Sequence, residues 1–246
     1  MDDAVLFVAS VYSHIRGFHM PYLHMLRDKG FDTLVAAGGD SNAKRIIQAE
    51  GFRCIDVPFS RNPSSSENLR AFTKLCSVFQ NMPQIKLVHV HTPVAAFVTR
   101  LSSRRVRFTG QMLYTAHGFH FYHGASVRNW LVFYPLEAFA ARYTDGIITI
   151  NREDFHHAGR FRLKPNGHVH YVPGVGVDIL RYSYQGDLVR QAVRTELGIG
   201  TDDVVMTCVA EVNDNKNHIQ LLRALTIVRE QCPSIRLLVI GEGSRR

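Results

Sequence analysis

Short apolar segments alternate with longer amphipathic segments along most of this chain, and this alternation constrains the fold more than any other feature. The short segments predict buried strands, and the segments between them carry apolar residues at helical spacing. This order is typical of an α/β protein, in which helices connect the parallel strands of one sheet. The predicted strands are residues 5–10, 33–37, 54–57, 87–91, 112–115, 146–150 and 169–172, and the predicted helices are residues 20–29, 42–50, 66–81, 94–104, 127–142 and 152–159.

Several predicted helix ends have a physical cause. Gly30 and Gly51 stand where a residue in the left-handed conformation would end a helix, and Ser64 with Glu67 has the spacing of a capping box. Together the strands and helices predict one complete α/β domain over residues 1–172.

The alternation lapses over residues 173–200, which hold Pro, several Gly and one helical stretch, and this predicts an interdomain linker. It begins again over residues 201–246, which predict the opening β-α-β of a second doubly wound domain. A two-stranded parallel sheet covered by one helix leaves apolar surface exposed, so we expect a liability for stability and aggregation there. The predicted elements are helix 188–197, strand 204–210, helix 217–231 and strand 236–240.

Composition and charge narrow the class of protein. With 246 residues, of which 46% are hydrophobic and 20% charged, the chain is an ordinary globular protein rather than a disordered, collagen-like or coiled-coil one. Its net charge of +8 favours polyanionic partners such as nucleotide phosphates or an anionic membrane surface. Nucleic acid is disfavoured because no recognised binding module accompanies the charge. The 4 cysteines have neither disulfide nor metal spacing, so we expect a cytoplasmic protein, at most peripheral on the inner membrane.

Two clusters of basic residues are candidates for contact with such a membrane. They are either solvated helix ends, where cations complement the helix dipole, or contacts to anionic lipid head groups. The clusters are Arg100, Arg104, Arg105 and Arg107, and Arg160, Arg162 and Lys164.

Polar residues follow the first predicted strand, in a stretch that we predict to be a loop. In an open α/β sheet, the loops beyond the carboxyl ends of the strands face the ligand crevice. Tyr12, Ser13 and His14 are therefore placed to contact a substrate. The loop lacks GxGxxG, so it does not predict a nicotinamide site, and a solvated loop with buried, hydrogen-bonded histidines is the alternative.

Histidines also stand near two later strand ends. His89 and His91 share one face of a strand, and His117 follows the next strand, immediately before a glycine. The position of His117 favours a polar or general-base role. A zinc site made of His117, His120 and His123 is a weaker alternative, because the stretch lacks the helical HExxH spacing.

A strand-to-helix joint near residue 216 is a candidate phosphate site. Backbone amides and the helix dipole favour an anion at such a joint, and Lys216 adds a positive charge. A solvated joint is the alternative reading, and the GxxxxGK[ST] loop of P-loop enzymes is absent.

In the order of these motifs the chain resembles the bacterial family-4 glycosyltransferases, which have the GT-B fold, especially those that build capsular and exopolysaccharide repeat units. The resemblance extends over essentially the whole chain. The matching segments are Ser13-His14, residues 18–23, 89–93 and 114–121, Asn129-Trp130, and residues 134–137 and 149–154.

This resemblance implies a GT-B protein with a complete N-terminal Rossmann-like domain and the first β-α-β of a second one. The N-terminal domain of such enzymes holds the acceptor, often a saccharide linked to polyprenyl diphosphate. The C-terminal domain holds a nucleotide-sugar, for which a UDP-sugar is favoured here. The implied reaction transfers a hexose or N-acetylhexosamine with retention at the anomeric carbon, and it needs no bound metal or other cofactor.

The resemblance also implies roles for individual residues. His117 is the catalytic candidate, and Lys216 matches the lysine that contacts the donor phosphates. Glu211 stands where many relatives have an arginine, which removes one expected phosphate contact. The implied acceptor-binding residues are Tyr12, Ser13, His14, His91 and His120, and the implied donor-binding residues are Glu211, Lys216, Gly241, Glu242 and Gly243.

The chain departs from this family in its C-terminal domain. Such enzymes normally continue with further strands, helices and a pair of glutamates that contact the donor sugar. We therefore expect a truncated C-terminal domain and an enzyme that is inactive on its own. The alternative is a non-catalytic, acceptor-binding module or a half-enzyme that needs a separate C-terminal half. An α/β hydrolase is disfavoured because no GxSxG motif is present.

Overall fold

A seven-stranded sheet lies at the centre of the residues up to Gly176, which form the first of two compact units. The structure, a computed structural model, describes residues 3–60 and 62–243, and only the backbone of Asn215. The strands of this sheet are β1 (Ala4–Val11), β2 (Asp32–Gly38), β3 (Arg53–Asp56), β4 (Ile85–His91), β5 (Gln111–Ala116), β6 (Gly146–Thr149) and β7 (His168–Tyr171). The helices between them are α1 (Tyr12–Phe18), α2 (Met20–Asp28), α3 (Ser41–Ala49), α4 (Glu67–Asn81), α5 (Pro93–Arg105), α6 (Val127–Ala141) and α7 (Arg152–Ala158).

All neighbouring strands of this sheet pair in parallel, in the order β3-β2-β1-β4-β5-β6-β7. The chain winds outward from β1 in one direction as far as β3 and then returns to β4 beside β1. The helices that follow β1 and β4 therefore lead away from each other, which opens a crevice at the carboxyl ends of these two strands. The predicted α/β class is confirmed.

Both faces of the sheet are buried, which explains why its central strand is a continuous apolar run. In β1, Leu6 and Val8 point into a core beneath α4 and α5. Val5 and Phe7 point into a second core beneath α1, α2 and α3. Parallel sheets covered by helices on both faces require strands of this kind.

The segment after β1 differs from the predicted loop, because Tyr12–Phe18 forms helix α1. Tyr12 and Ile15 lie three residues apart, so both reach the same helix face and are buried in the second core. The burial of this apolar face stabilises a helix, although the residues between Tyr12 and Ile15 are polar and had suggested a loop. The helix was missed because its apolar pattern is only one turn long.

The predicted helix ends are correct in two cases and wrong in one. Gly30 and Gly51 have φ angles of 90° and 88°, as a left-handed helix terminus requires. The capping box of Ser64 and Glu67 is absent: Glu67 is the first residue of α4, and its backbone N–H donates to the Ser65 hydroxyl at 3.3 Å.

The second compact unit begins at Val177. It contains α8 (Asp187–Glu196), β8 (Val204–Val209), a short 3-10 helix (Asp214–Lys216), α9 (His218–Gln231) and β9 (Ile235–Ile240). Strands β8 and β9 pair in parallel as a two-stranded sheet. Helix α8, from the predicted linker, belongs to this unit, and Arg194 donates to the Asp203 carbonyl at 2.8 Å. In the part of the chain that the structure describes, no helix has the length and apolar character needed to cross a membrane.

Candidate functional site

Five histidines converge at the carboxyl ends of β1, β4 and β5, and we call them the histidine cluster. His14 lies on α1, His19 joins α1 to α2, His89 and His91 lie on β4, and His117 follows β5. Ring centroids are 4.7 Å apart for His14 and His117 and 3.7 Å apart for His19 and His91. The cluster therefore occupies the crevice where the strand order reverses.

Most ring nitrogens of the cluster lack a hydrogen-bond partner among the described residues. His89 is the exception, because its Nε2 lies 2.8 Å from the Thr115 hydroxyl. Unpartnered buried nitrogens are the Nε2 atoms of His14, His19 and His117 and both nitrogens of His91. Buried polar groups are usually paired, so each of these nitrogens needs a water, an ion or a ligand as its partner.

Burial also sets the charge of the cluster. Removal from water, with a smaller contribution from nearby imidazoles, lowers the pKa of His14 to about 4 and that of His19 to about 2. Burial lowers the pKa of His91 and of His117 as well. The rings are therefore neutral at physiological pH, and each can offer a lone pair to a hydroxyl or to a metal ion.

Strand β1 is tied to the end of β4 by two hydroxyl side chains. Thr92 Oγ1 accepts a hydrogen bond from the Ser10 backbone N–H at 3.0 Å and lies 2.8 Å from the Ser10 hydroxyl. Thr92 has a φ of 64°, which is unfavourable for a β-branched residue. Such strain concentrates at functional sites, and here it stands at the residue that precedes α5, beside the crevice.

The loop that carries His117 is fixed by carboxylates at the start of α7. Asp154 accepts hydrogen bonds from the Phe119 backbone N–H at 3.1 Å and from the Asn151 side chain at 2.7 Å. Glu153 accepts one from the His123 backbone N–H. Burial raises the pKa of Asp154. From the sequence, Glu153 and Asp154 were noted only as part of the segment that resembles the family. Their position as an acidic pair shortly after a strand end could have indicated that they hold a neighbouring loop.

A cavity of about 600 Å³ adjoins the histidine cluster. Its wall is mainly apolar and includes Phe97, Phe119 and Phe133, while His14 and His120 contribute polar atoms. Ligand sites commonly combine an apolar wall with a few polar groups in this way. The cavity is therefore large enough and suitably lined for a small ligand that is partly apolar.

A buried ion pair lies at the edge of this cavity. Arg100 Nη2 donates to Glu137 Oε2 at 2.7 Å, and the Arg100 guanidinium lies 4.4 Å from the centre of the Tyr114 ring. Arg100 is fully buried, so both readings of it as a surface cation are wrong. Arg100 lies one helical turn before the exposed Arg104, so the sequence offered no reason to expect a different exposure for the two residues. The sequence does not show that α6 covers α5 at Arg100.

The other predicted acceptor residues differ in their exposure to solvent. Ser13 is exposed on α1, and His120 is exposed and stacks on Phe133 at a centroid distance of 4.5 Å. Tyr12 is buried in the second core, where its hydroxyl donates to Asp56 at 2.9 Å. Tyr12 thus lies outside the group that the structure brings together.

The histidines that the structure groups as possible metal ligands differ from the set that the sequence suggested. The set of His117, His120 and His123 does not form among the described residues. Instead, nitrogens of His14, His19, His91 and His117 all lie within 4.8 Å of one another. His14 and His19 come from a segment that showed no metal-binding spacing, so this grouping could be found only from the fold.

In the second unit, the loop after β8 lies beside the loop after β9. The Val212 backbone N–H donates to the Glu242 carbonyl at 3.0 Å, which brings Glu211 next to Gly241 and Gly243. A Cβ on Gly241 would lie 2.0 Å from the Ala210 carbonyl oxygen, so this approach requires glycine. Lys216 is exposed at the end of the short 3-10 helix.

Comparisons with known proteins agree with the predicted family. The family described as Glycosyltransferase Family 4 matches residues 22–179. The chain is 36% identical over 245 residues to the protein named "Putative glycosyltransferase EpsD" of Bacillus subtilis (strain 168). That match covers 99% of this chain but 62% of the relative, so the chain spans less than two thirds of its length.

Solved structures show the same fold. Anabaena Alr3699/HepE, in complex with UDP and glucose, matches with a TM-score of 0.69 and 17% identity, over 99% of this chain and 62% of that chain. A glycosyltransferase from Rickettsia africae ESF-5 matches with a TM-score of 0.66 and 10% identity, over 98% and 69%. UDP-GlcNAc 2-epimerase from Neisseria meningitidis, bound to UDP-GlcNAc, matches with a TM-score of 0.62 and 11% identity, over 96% and 64%.

These likenesses confirm the expected GT-B fold, which transferases and epimerases share. The fold alone does not separate these two classes of enzyme. The family match does, because it extends over more than half of the chain and includes the loops that carry His91 and His117. The chain therefore belongs to glycosyltransferase family 4.

Proposed function

We propose that this chain acts in the transfer of a hexose or N-acetylhexosamine from a UDP-sugar to a saccharide linked to polyprenyl diphosphate, with retention at the anomeric carbon. The role would be in the synthesis of a cell-surface polysaccharide. The observation that carries the proposal is the contact between the histidine cluster and the adjoining, mainly apolar cavity at the reversal of strand order. The complexes of HepE with UDP and with UDP-glucose support a UDP-sugar as donor.

His117 is the proposed catalytic residue. Its Nε2 is buried, neutral and unpartnered among the described residues, so it can accept a hydrogen bond from a hydroxyl of the reacting sugar. His14 and His120, which both line the cavity, would hold further acceptor hydroxyls, and Ser13 would contact the acceptor from the exposed face of α1. His91 is fully buried and would act indirectly, through the ring of His19 on which it stacks. Tyr12 would act indirectly, because its bond to Asp56 fixes α1 from below.

The second unit would bind the donor. Lys216 would contact the diphosphate as a positive charge at the start of α9, where helix amides also favour anions. Gly241 and Gly243 lie so close to the β8 loop that a Cβ on either would collide with a backbone carbonyl of that loop. This packing holds Glu211 beside Glu242, and both would line the donor side of the site.

Contact with an anionic inner-membrane surface is the proposed route to a lipid-linked acceptor. Helix α6 exposes Val127 at 74% and Leu131 at 72%, with the exposed Arg128 beside them. Arg104 and Arg105 are exposed at the end of α5. Apolar side chains combined with cations are typical of helices that lie on an anionic bilayer. The protein would then be cytoplasmic and peripheral.

The catalytic assignment is tested by replacing His117 with alanine. In a protein supplied with a complete C-terminal domain, we expect His117→Ala to abolish sugar transfer to a polyprenyl-diphosphate-linked acceptor while the melting temperature changes little, because the ring is only half-buried. His123→Ala, which removes an exposed histidine from the same loop, is the matched control. Undiminished turnover in His117→Ala would contradict the assignment.

The donor assignment is tested by calorimetric titration of the chain with a panel of UDP- and GDP-sugars. Lys216→Ala should weaken donor binding more than acceptor binding, and Lys29→Ala, at an exposed lysine of the first unit, should change neither. Unchanged donor affinity in Lys216→Ala would contradict the role of that lysine. Acceptor binding with neither donor binding nor transfer would favour the second candidate, an acceptor-binding module that needs a separate C-terminal half.

A further inference from the structure

Four members of the histidine cluster form a second kind of site that glycosyl transfer does not require. Their ring nitrogens lie within 4.8 Å of one another, although the residues come from α1, the α1–α2 junction, β4 and the β5 loop. In a tetrahedral zinc site with Zn–N bonds of 2.0–2.1 Å, neighbouring nitrogens are about 3.3 Å apart. Modest rotations of the side chains would therefore bring these nitrogens to bonding distance of a single ion.

We propose that these four histidines bind one divalent transition-metal ion of the Zn²⁺ class. The set consists of His14, His19, His91 and His117, and we call it the four-histidine site. The ligand chemistry selects the ion: imidazole suits zinc and its transition-metal neighbours, whereas Mg²⁺ and Ca²⁺ need oxygen ligands, which the set does not offer.

Burial is a second, independent observation in favour of the site. His91 is fully buried and His19 is 4% exposed. Among the described residues, neither His19 Nε2 nor either ring nitrogen of His91 has a hydrogen-bond partner. Protein interiors rarely leave such atoms unsatisfied. The neutral form of each ring is also the form that ligates a metal. An ion would satisfy one nitrogen of each of the four rings at once.

The ion is not a cofactor of the proposed transfer reaction, and it competes with that reaction for one atom. His117 Nε2 would bind either the ion or an acceptor hydroxyl, so the two uses of this atom exclude each other. The ion would tie α1 to the ends of β4 and β5 in a closed site with four protein ligands, as structural zinc sites do. The metal-free transfer reaction that the sequence predicts would therefore proceed only while the ion is absent from this site.

The test is a titration of the purified, chelator-treated full chain with Co²⁺, followed by absorption spectroscopy, and with Zn²⁺, followed by calorimetry. We expect one equivalent to bind, with the intense visible bands of tetrahedral Co²⁺, and no competition by Mg²⁺. His14→Gln and His117→Gln should each weaken binding by more than about tenfold, because even the loss of an outer-shell partner costs 10–100-fold. These rings are half-buried, so both variants should fold; His91→Phe adds a third variant that retains the volume of the buried ring.

Two matched controls separate this site from other histidines. His123→Gln removes a member of the alternative set with His117 and His120, and His170→Gln removes an exposed histidine that lies near His168 on β7. Both should bind the ion like the unaltered chain. The proposal is overturned if no saturable one-equivalent binding occurs, if Co²⁺ binds only in octahedral form, or if binding survives in His14→Gln and His117→Gln. Loss of binding in either control would overturn it too. Sugar transfer is not measured in any arm, so failure here leaves the proposed function untouched.

Discussion

His19 shows how strongly a single buried imidazole can couple this protein to pH. Its ring stacks on His91, and burial, with smaller contributions from His14, His89 and His117, lowers its pKa to about 2. A histidine in an unfolded chain has a pKa of about 6.5. Below pH 6.5 the unfolded state therefore binds a proton that the folded state refuses, and the free energy of unfolding falls as pH falls.

We expect His19→Phe to make this pH dependence less steep, while the other buried histidines continue to contribute to it. Between pH 6.5 and 5, His19 alone should reduce the free energy of unfolding by about 2 kcal/mol, at about 1.4 kcal/mol per pH unit. Phenylalanine retains an aromatic ring but cannot take up the proton. Urea unfolding in the presence of a chelator, at several pH values across this window, measures the slope. His123→Gln should keep the slope of the unaltered chain; an equally steep slope in His19→Phe would show that His19 titrates normally when folded.

At the scale of single residues, the sequence predicted where individual histidines lie better than it predicted which of them lie together. His14, His91 and His117 were expected near the carboxyl edge, because each stands at a strand end. Their direct grouping with His19 depends on α1, whose one turn of apolar pattern gave too little signal. The burial of Arg100 was equally hidden, since the pattern of α5 does not say which face α6 covers.

At the scale of elements, the Arg100–Glu137 ion pair joins α5 to α6. Arg100 Nε also donates to the Ala96 carbonyl at 3.0 Å, so the guanidinium is held within its own helix and across to the next. The Glu137 side chain is 11% exposed and that of Arg100 is 0% exposed. Loss of one member of such a pair leaves the other as an uncompensated charge in the interior.

We expect Glu137→Leu to lower the free energy of unfolding by about 3–5 kcal/mol, because Arg100 loses its buried counter-ion. The double variant Arg100→Met with Glu137→Leu should recover most of this loss, since apolar side chains of similar volume replace both charges. Chemical denaturation of the two single variants and the double variant forms a complete cycle. A double variant no more stable than Glu137→Leu would show that the pair contributes through its shape rather than its charge.

Most elements were predicted because their cause is local. Residues 4–11 are apolar on both faces, and the glycines at 30 and 51 end helices without help from distant residues. The order of the strands needed more than local pattern, since alternation of strands and helices fixes a parallel sheet but not which strand lies beside β1. That adjacency of β1 and β4 is what assembles the candidate site.

At the scale of the whole molecule, the two units differ in how much of them is buried. Strand β1 is buried from Ala4 to Ser10, with helices on both of its faces. Among the described residues from Val177 to Gly243, only Ile235 is buried, and α8 and α9 have no buried residue. The exposed apolar surface predicted for a two-stranded sheet is thus present in the structure, with Val209 75% exposed.

We expect hydrogen–deuterium exchange to reveal this difference directly. Backbone amides open with a free energy that depends on the apolar contacts around them, so those of β8 and β9 should exchange much faster than those of β1 and β4. Peptide-resolved mass spectrometry of the purified chain, at a pH where unstructured amides exchange within seconds, measures both sets in one experiment. The paired strand amides of β6 serve as an internal reference, because they lie near the edge of the larger sheet. Equal protection of β8 and β1 would mean that the second unit gains stability from a source other than its own core, such as association between copies of the chain, and the dependence of exchange on protein concentration would then identify that source.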